Sequence, residues 1–475
     1  MFQIEIEKLM FDPTTSAREK KLVEPIVRTH IDSSGSRVAL MRKVSWRLLP
    51  LLFLMFVISY LDRVNTGFAA LTMNRELALS ATAFGLAGTI MYFGYAVCEV
   101  PSTVLMVRYG ARRWLARIMI TWGLAAAGTM FAFNAHSLYA IRLLVGIAEA
   151  GFAPGALLYL TYWFPKEYIG RANALFLVGG PVAMAIGAAL SGFILQHGDG
   201  LFGLSGWRVM FLVEGLPAVF LGIIGLLWFA DKPSQAKWLS AKEADTLQEM
   251  MNEPAIPKSH ASFKSVVKQL TNWNVLFLSI CYFCLCNSFT ANSMWTPSIM
   301  RGILPGHSLT FVGLVTSIPA VCAIILMPLW SLSSDRMMER HWHLIAALTM
   351  TLLGWLAMDW KSEPIIQVIG VIGTTAGAFS AMSVFWTLPQ RTLSNASRPA
   401  GLALINAVGI LGSVCSPTII GILRDWTKSF SSGLYFSAAL LLVAIIAVPL
   451  SSLGSSRRLA RSDNDVDRRT SAESL

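Results

Sequence analysis

Residues 47–70 read RLLPLLFLMFVISYLDRVNTGFAA. As a helix rising about 1.5 Å per residue, this run crosses roughly 30 Å of hydrocarbon. It also places Asp62 and Arg63 inside that hydrocarbon. Such a segment suits neither a soluble surface nor a soluble core, so the chain reads as membrane-spanning from its first apolar window. The rest agrees. Of 475 residues, 55% are hydrophobic and 14% charged, with a mean hydropathy of +0.58, against about 25% charged in a soluble domain. A soluble enzyme and a disordered chain are both excluded. Windows of about 20 apolar residues recur, and no series of ten-residue alternating strands does, which excludes a membrane β-barrel.

Twelve helical spans are expected, at 47–70, 83–107, 114–133, 137–163, 172–196, 207–230, 272–299, 309–333, 343–360, 364–388, 399–423 and 432–454. Lysine and arginine test the topology. With the N-terminus inside, thirty of the 38 fall on the cytoplasmic side, six opposite and two, Arg63 and Arg142, within spans. This positive-inside bias places both termini in the cytoplasm and accounts for the net charge of +11 without nucleic acid. The expected organisation is an N-terminal arm (1–45), a six-helix bundle (46–230), a cytoplasmic linker (231–271), a second six-helix bundle (272–454) and a cytoplasmic tail (455–475). The arm is polar and of mixed charge; it is expected to be mobile and not a cleaved signal. The halves carry a faint repeat: at an offset of 229, Ala174, Gly180 and Gly192 fall on Ala403, Gly409 and Gly421. A duplicated six-plus-six bundle implies a transporter with its site between the halves.

A charge at a span centre costs about 2.5–3.5 kcal/mol on insertion scales, so intramembrane charges face a cavity or a partner. Four stand out: Asp62 and Arg63 in span 1, and Arg142 and Glu149 in span 4. Arg142 and Glu149 are seven positions apart, on one helix face, with Gly151 and Gly155 beside them to admit a neighbouring helix. A purely structural ion pair is one reading. The other is chemical. Arginine offers a planar fork for a carboxylate, and a carboxylate in a dry cavity is pulled one way by desolvation and the other by a nearby arginine. Protonating Asp62 and Glu149 would free the arginines to hold an anion, a basis for proton-coupled anion symport. Glu99 and Glu214 read as structural partners. The basic turn Arg108, Arg112, Arg113 and its counterpart Asp335, Arg336 read as cytoplasmic gate latches or as membrane anchors. Cys281, Cys284 and Cys286 lie among apolar residues and read as core thiols, not metal ligands. The seven histidines sit mainly in loops, so no metal site and no enzyme constellation is expected. A sensor would need a signalling domain, for which the tails leave no room.

Several motifs together resemble the major facilitator superfamily, and within it the anion:cation symporter branch. They are Tyr60-Leu-Asp-Arg-Val-Asn65 with Gly67-Phe-Ala-Ala-Leu-Thr-Met73, Glu99-Val-Pro-Ser102, Tyr109-Gly-Ala-Arg-Arg-Trp114, Arg142-Leu-Leu-Val-Gly-Ile-Ala-Glu-Ala-Gly-Phe-Ala-Pro-Gly155 and Tyr162-Trp-Phe-Pro165. The likeness runs from about residue 42 to 454 and is nearest to bacterial tartrate, phthalate and hydroxyphenylacetate permeases. It implies proton-driven uptake of an organic carboxylate by alternating access in the inner membrane, by a monomer that needs no cofactor beyond the proton. By motif position, Asp62 and Glu149 match proton-coupling carboxylates, Arg63 a substrate-coordinating arginine, and Arg142 the partner of the span-4 glutamate. Tyr60, Tyr95, Ser383, Trp386 and Asn406 match pocket positions. There are departures. Span 5 reads Gly179-Gly-Pro181 without the polar side chain of sugar-acid symporters, which suits a less hydroxylated, aromatic anion. Span 7 lacks the arginine of the animal vesicular members, so their glutamate recognition is not implied. An organic-anion exchanger or exporter on the same scaffold is the alternative.

Overall fold

In the computed structural model, residues 17–251, 266, 269–393 and 397–472 are described, with the side chains of 17–35, 391, 399 and 452–472 outside the description. The described residues contain helices and no strand. Eleven spans are helices long and apolar enough to cross a membrane, and a shorter apolar helix, His341–Ala357, supplies span 9. Span 1 belongs to one helix, Ala17–Glu76, and span 12 to Ser431–Ala472. The gating and pocket residues read from the sequence all lie within the described part, whereas 252–265 of the linker lie outside it.

The helix ends follow from the sequence. Ser80 and Ser308 cap spans 2 and 8 by accepting from the backbone N–H groups of Ala83 and Phe311. Asn134 and Ser137 form a capping box at the start of span 4. Gly110, at φ +91°, ends span 2 in a turn that a side chain disfavours, and the Asp231 carboxylate lies against it.

Three spans are interrupted. Span 4 is not the single helix expected over 137–163: it runs Ala135–Glu149, breaks at Ala150 and left-handed Gly151 (φ +86°), and resumes over Phe152–Leu160. The break falls directly after Glu149. Gly151 and Gly155 do admit a neighbour, because a Cβ on them would meet Ser102 and Met106 of span 2 at 2.7 and 2.9 Å. Span 5 divides at Val178 into Lys166–Leu177 and Gly179–His197, where Pro181 cannot donate back to Leu177. Span 10 divides at Trp386 into Pro364–Phe385 and Thr387–Thr392.

One core joins the two halves at the end away from the basic loops. It unites Phe68, Phe84, Trp207 and Phe211 with Trp295 and Trp355, and runs on through the C-terminal half to Phe385 toward the basic end. At the basic end the N-terminal half has a core of its own, around Leu48, Trp122, Tyr159 and Trp163. The linker docks on that core. Its helix Ala241–Met251 buries Leu247, Lys43 bonds Glu243 at 2.8 Å, and Trp238 stacks on Trp163 with centroids 5.6 Å apart. The halves therefore share a core at the far end, and at the basic end the N-terminal half keeps one of its own.

Candidate functional site

Four cross-half contacts close the far end. Asp425 of span 11 accepts from the backbone N–H groups of Ala81 (3.2 Å) and Thr82 (2.7 Å) at the start of span 2. Gln196 of span 5 accepts from the N–H of Thr310 (3.0 Å) at the start of span 8. Both use the exposed donors and positive end of a helix N-terminus. The sequence offset of 229 carries Gln196 onto Asp425 and Ala81 onto Thr310, so these are one latch used twice. Thr89 donates to the Val414 carbonyl at 2.6 Å, and a Cβ on Gly192 would sit 2.9 Å from Gly313 Cα. None of these latches was read from the sequence, although the offset held the signal.

Below this closure lies the charged layer. Arg63 donates from Nη2 (2.7 Å) and Nε (3.2 Å) to the same oxygen, Oε1, of Glu149. The Glu149 side chain is 3% exposed and that of Arg63 is 23% exposed. The other Glu149 oxygen, Oε2, is buried with no partner. Tyr60, Tyr92 and Tyr95 surround the guanidinium, with ring centroids 5.4–5.7 Å from its carbon. Tyr60 and Tyr95 were expected here and Tyr92 was not.

The pairing differs from the sequence expectation. Arg142 is not joined to Glu149: it donates from Nη2 to Thr66 Oγ1 (2.7 Å) and lies over the Phe211 ring. Seven positions share a face but stand about 10.5 Å apart along the axis, and both side chains lean the same way, toward the N-terminus, so the gap stays open. Asp62 is 2% exposed and accepts from Asn65 (3.3 Å) and from Trp122 Nε1 (3.4 Å). Among the described residues neither Asp62 nor Arg142 is in an ion pair.

The C-terminal half faces this layer without a charge. Ser293 Oγ donates to the Arg63 carbonyl (3.2 Å), and Asn292 donates to Thr375 Oγ1 (2.8 Å) and accepts from Thr296. A small pocket between spans 1, 5, 7, 8 and 10 is lined by Val64, Phe68, Asn292, Thr296 and Thr375, among others. The sequence reading missed these residues, although the polar run from Asn287 to Thr296 inside an apolar span was a usable signal. Of the residues it did name, Asn406 donates to Glu99 Oε1 across the halves (3.3 Å), and Trp386 stands edge-on to Tyr282 at 4.9 Å. Ser383 donates back to the Ser380 carbonyl of its own helix. Gly180 opens a wall whose nearest atoms belong to Phe379 and Tyr60.

The basic turns lie apart from this layer. The backbone N–H of Arg112 donates to Asp231 (2.8 Å) and its Nε to the Leu226 carbonyl (2.6 Å), while Arg108 lies over the Tyr109 ring. Asp335 pairs with Arg340, which also donates to Ser334. Arg113 and Arg336 are exposed. In this conformation these contacts stay within one half, and Arg340 is the loop partner that the sequence did not suggest.

A duplicated twelve-span bundle, latched at one end and lined between its halves by buried charge, has the architecture of a secondary transporter. The profile of the Major Facilitator Superfamily matches residues 52–304 and 278–471, and the chain belongs to that family. The "Putative tartrate transporter" of Agrobacterium vitis is 36% identical over 430 residues, 90% of this chain and 95% of that protein. The "Quinolone resistance transporter" of Acinetobacter baumannii is 34% identical over 410 residues, 85% and 93% of the two chains. The crystal structure of a D-xylose-proton symporter shares the fold, with TM-score 0.67 at 15% identity, covering 86% of this chain and 97% of that one. The protein is thus a multi-pass membrane transporter and not an enzyme.

Proposed function

We propose that the protein is a proton-coupled symporter that takes up a small organic carboxylate across the inner membrane by alternating access. Its basic end faces the cytoplasm, as the positive-inside rule requires, so the latched far end faces outward. One observation carries the reading: Arg63, the partly exposed arginine of the charged layer, is neutralised through a single oxygen of buried Glu149. A substrate carboxylate competes with Glu149 for that guanidinium. A proton on Glu149 removes the competitor and leaves the arginine fork free for the substrate. Proton and anion then move together, because either alone leaves a buried charge unpaired, and Asp62 is the second proton-coupling carboxylate. Tyr60, Tyr92, Tyr95 and Phe379 make an aromatic wall that suits an aromatic acid. Trp386 and Asn406 complete the pocket from the other half, Ser383 stands beside it, and Arg142 holds span 1 through Thr66. The two basic turns close the cytoplasmic side in the opposite state. A single chain supplies both halves of the site, and the proton is its only cofactor.

The test is uptake into proteoliposomes under an imposed pH gradient, screening radiolabelled tartrate, phthalate, hydroxyphenylacetate and sugar acids. Uptake of one anion that collapses with a protonophore is expected. Exchange only against preloaded anion, indifferent to the gradient, would replace this reading with the second one, an exchanger or exporter. The drug-resistance name of the Acinetobacter relative favours that alternative.

A further inference from the structure

Span 6 holds a carboxylate that the exchange between Arg63 and Glu149 does not use. Glu214 lies about 12 Å into the helix that starts at Gly206, and it is 4% exposed. Its Oε1 accepts from Ser191 Oγ (2.9 Å), and its Oε2 is buried with no partner. The ionisable side chain that acts on it is Asp62. Between them stands Asn65, fully buried, which donates to Asp62 Oδ1 and also reaches Glu214.

Each neighbouring span contributes a known group. Span 1 gives Asp62, Asn65 and Thr66, span 3 gives Trp122, span 5 gives Ser191, and span 4 gives Arg142, which is held by Thr66. Among the described residues no cation lies within ion-pair distance of either carboxylate, and Arg142 acts on Asp62 only at longer range. Two buried anions that share one distant cation cost more than a pair that keeps a proton. Asp62 in turn needs a proton source if it is to load and unload. It is 2% exposed, and of the side chains it touches, Asn65 and Trp122, neither can give up a proton at physiological pH.

We propose that Glu214 is a proton-carrying residue that loads Asp62. The Glu214 carboxylic acid passes its proton to the Asp62 carboxylate, directly or over one water, leaving Asp62 neutral and Glu214 anionic. Glu214 then takes a new proton from water at the far end of span 6 when that end is open. Asn65 holds the two carboxyl groups in register. This inference rests on the proton-coupled reading above.

Two measurements on Glu214→Gln test it, since glutamine keeps the size of the side chain and its bond to Ser191. In infrared difference spectra of the whole protein at neutral pH, the wild type should show a protonated carboxylic-acid carbonyl band that E214Q lacks. In proteoliposomes, with the anion selected from tartrate, phthalate, hydroxyphenylacetate and sugar acids, uptake driven by a pH gradient should fall by about tenfold or more relative to counterflow by the same variant. An infrared spectrum unchanged by the substitution overturns the proposal. So does an equal loss of gradient-driven uptake and counterflow, which would make Glu214 structural. A wild type that carries the band yet shows no proton-linked uptake overturns the symport reading instead.

Discussion

Spans 1 and 4 of the N-terminal half set Asp62, Arg63, Arg142 and Glu149 into the membrane interior. Spans 7 and 10, their counterparts by order, place Asn292, Thr296 and Thr375 there and no charge. The scaffold is nonetheless symmetric where it closes, since the Asp425 latch on span 2 repeats as the Gln196 latch on span 8. Duplication therefore preserved the mechanical parts and let the chemistry diverge. Fixed charge is costly in a membrane and is concentrated in one half, where the proposed exchange for a proton and an anion would use it. The other half supplies neutral hydrogen bonds, which shape a pocket without needing a counter-ion.

The contrast is sharpest in stability. Arg63→Ala strands a buried Glu149 and should cost about 3–5 kcal/mol, whereas Asn292→Ala should cost about 1–3 kcal/mol. Thermal unfolding of the purified protein in detergent measures both, and equal losses would dissolve the distinction between the halves. Transport separates them next. Glu149→Gln should abolish accumulation driven by a pH gradient while anion exchange persists. Thr375→Val should leave the proton requirement intact and weaken substrate affinity by about tenfold, the loss of one hydrogen bond. Gradient-driven accumulation by Glu149→Gln would remove Glu149 from coupling.

The two latches give a smaller effect. Asp425 accepts two backbone N–H bonds with a full charge and Gln196 accepts one without. Asp425→Asn should open the far end more than Gln196→Leu does, read as labelling of a cysteine placed at Thr89 by a membrane-impermeant thiol reagent. A larger opening in Gln196→Leu would reverse the ranking. The smallest effect is at the linker. The hydrogen bonds from Lys43 and the Ser240 backbone hold the Glu243 carboxyl below the usual carboxylate range. A group held low stabilises its docked state above its free pKa and loses that contribution as pH falls through the docked value. Hydrogen exchange of Ala241–Met251 should therefore rise only in acid. Exchange that rises toward alkaline pH would contradict the ion pair.

Much of this was legible in the chain. The apolar periodicity, the lysine and arginine distribution and the expense of Asp62 and Glu149 in hydrocarbon led to the bundle and to the charged layer. The partners were less legible. Sharing a helix face suggested Arg142 for Glu149, but Arg63 takes it from another helix, because the contact depends on how spans 1 and 4 cross and on which way each side chain leans. The break after Glu149 was hidden because Gly151 also reads as a packing glycine. Glu214 read as a structural partner until span 6 was laid against Asp62 and Asn65.

The sequence by itself determined that the chain crosses the membrane twelve times, which end is basic, and which residues are too polar for lipid. Those properties follow from single-residue transfer energies and from position along one helix. The tertiary structure alone decided which charges meet, which stand apart, and which end is closed. Those outcomes depend on contacts of a few ångströms between helices far apart in the chain, and no local pattern encodes such contacts.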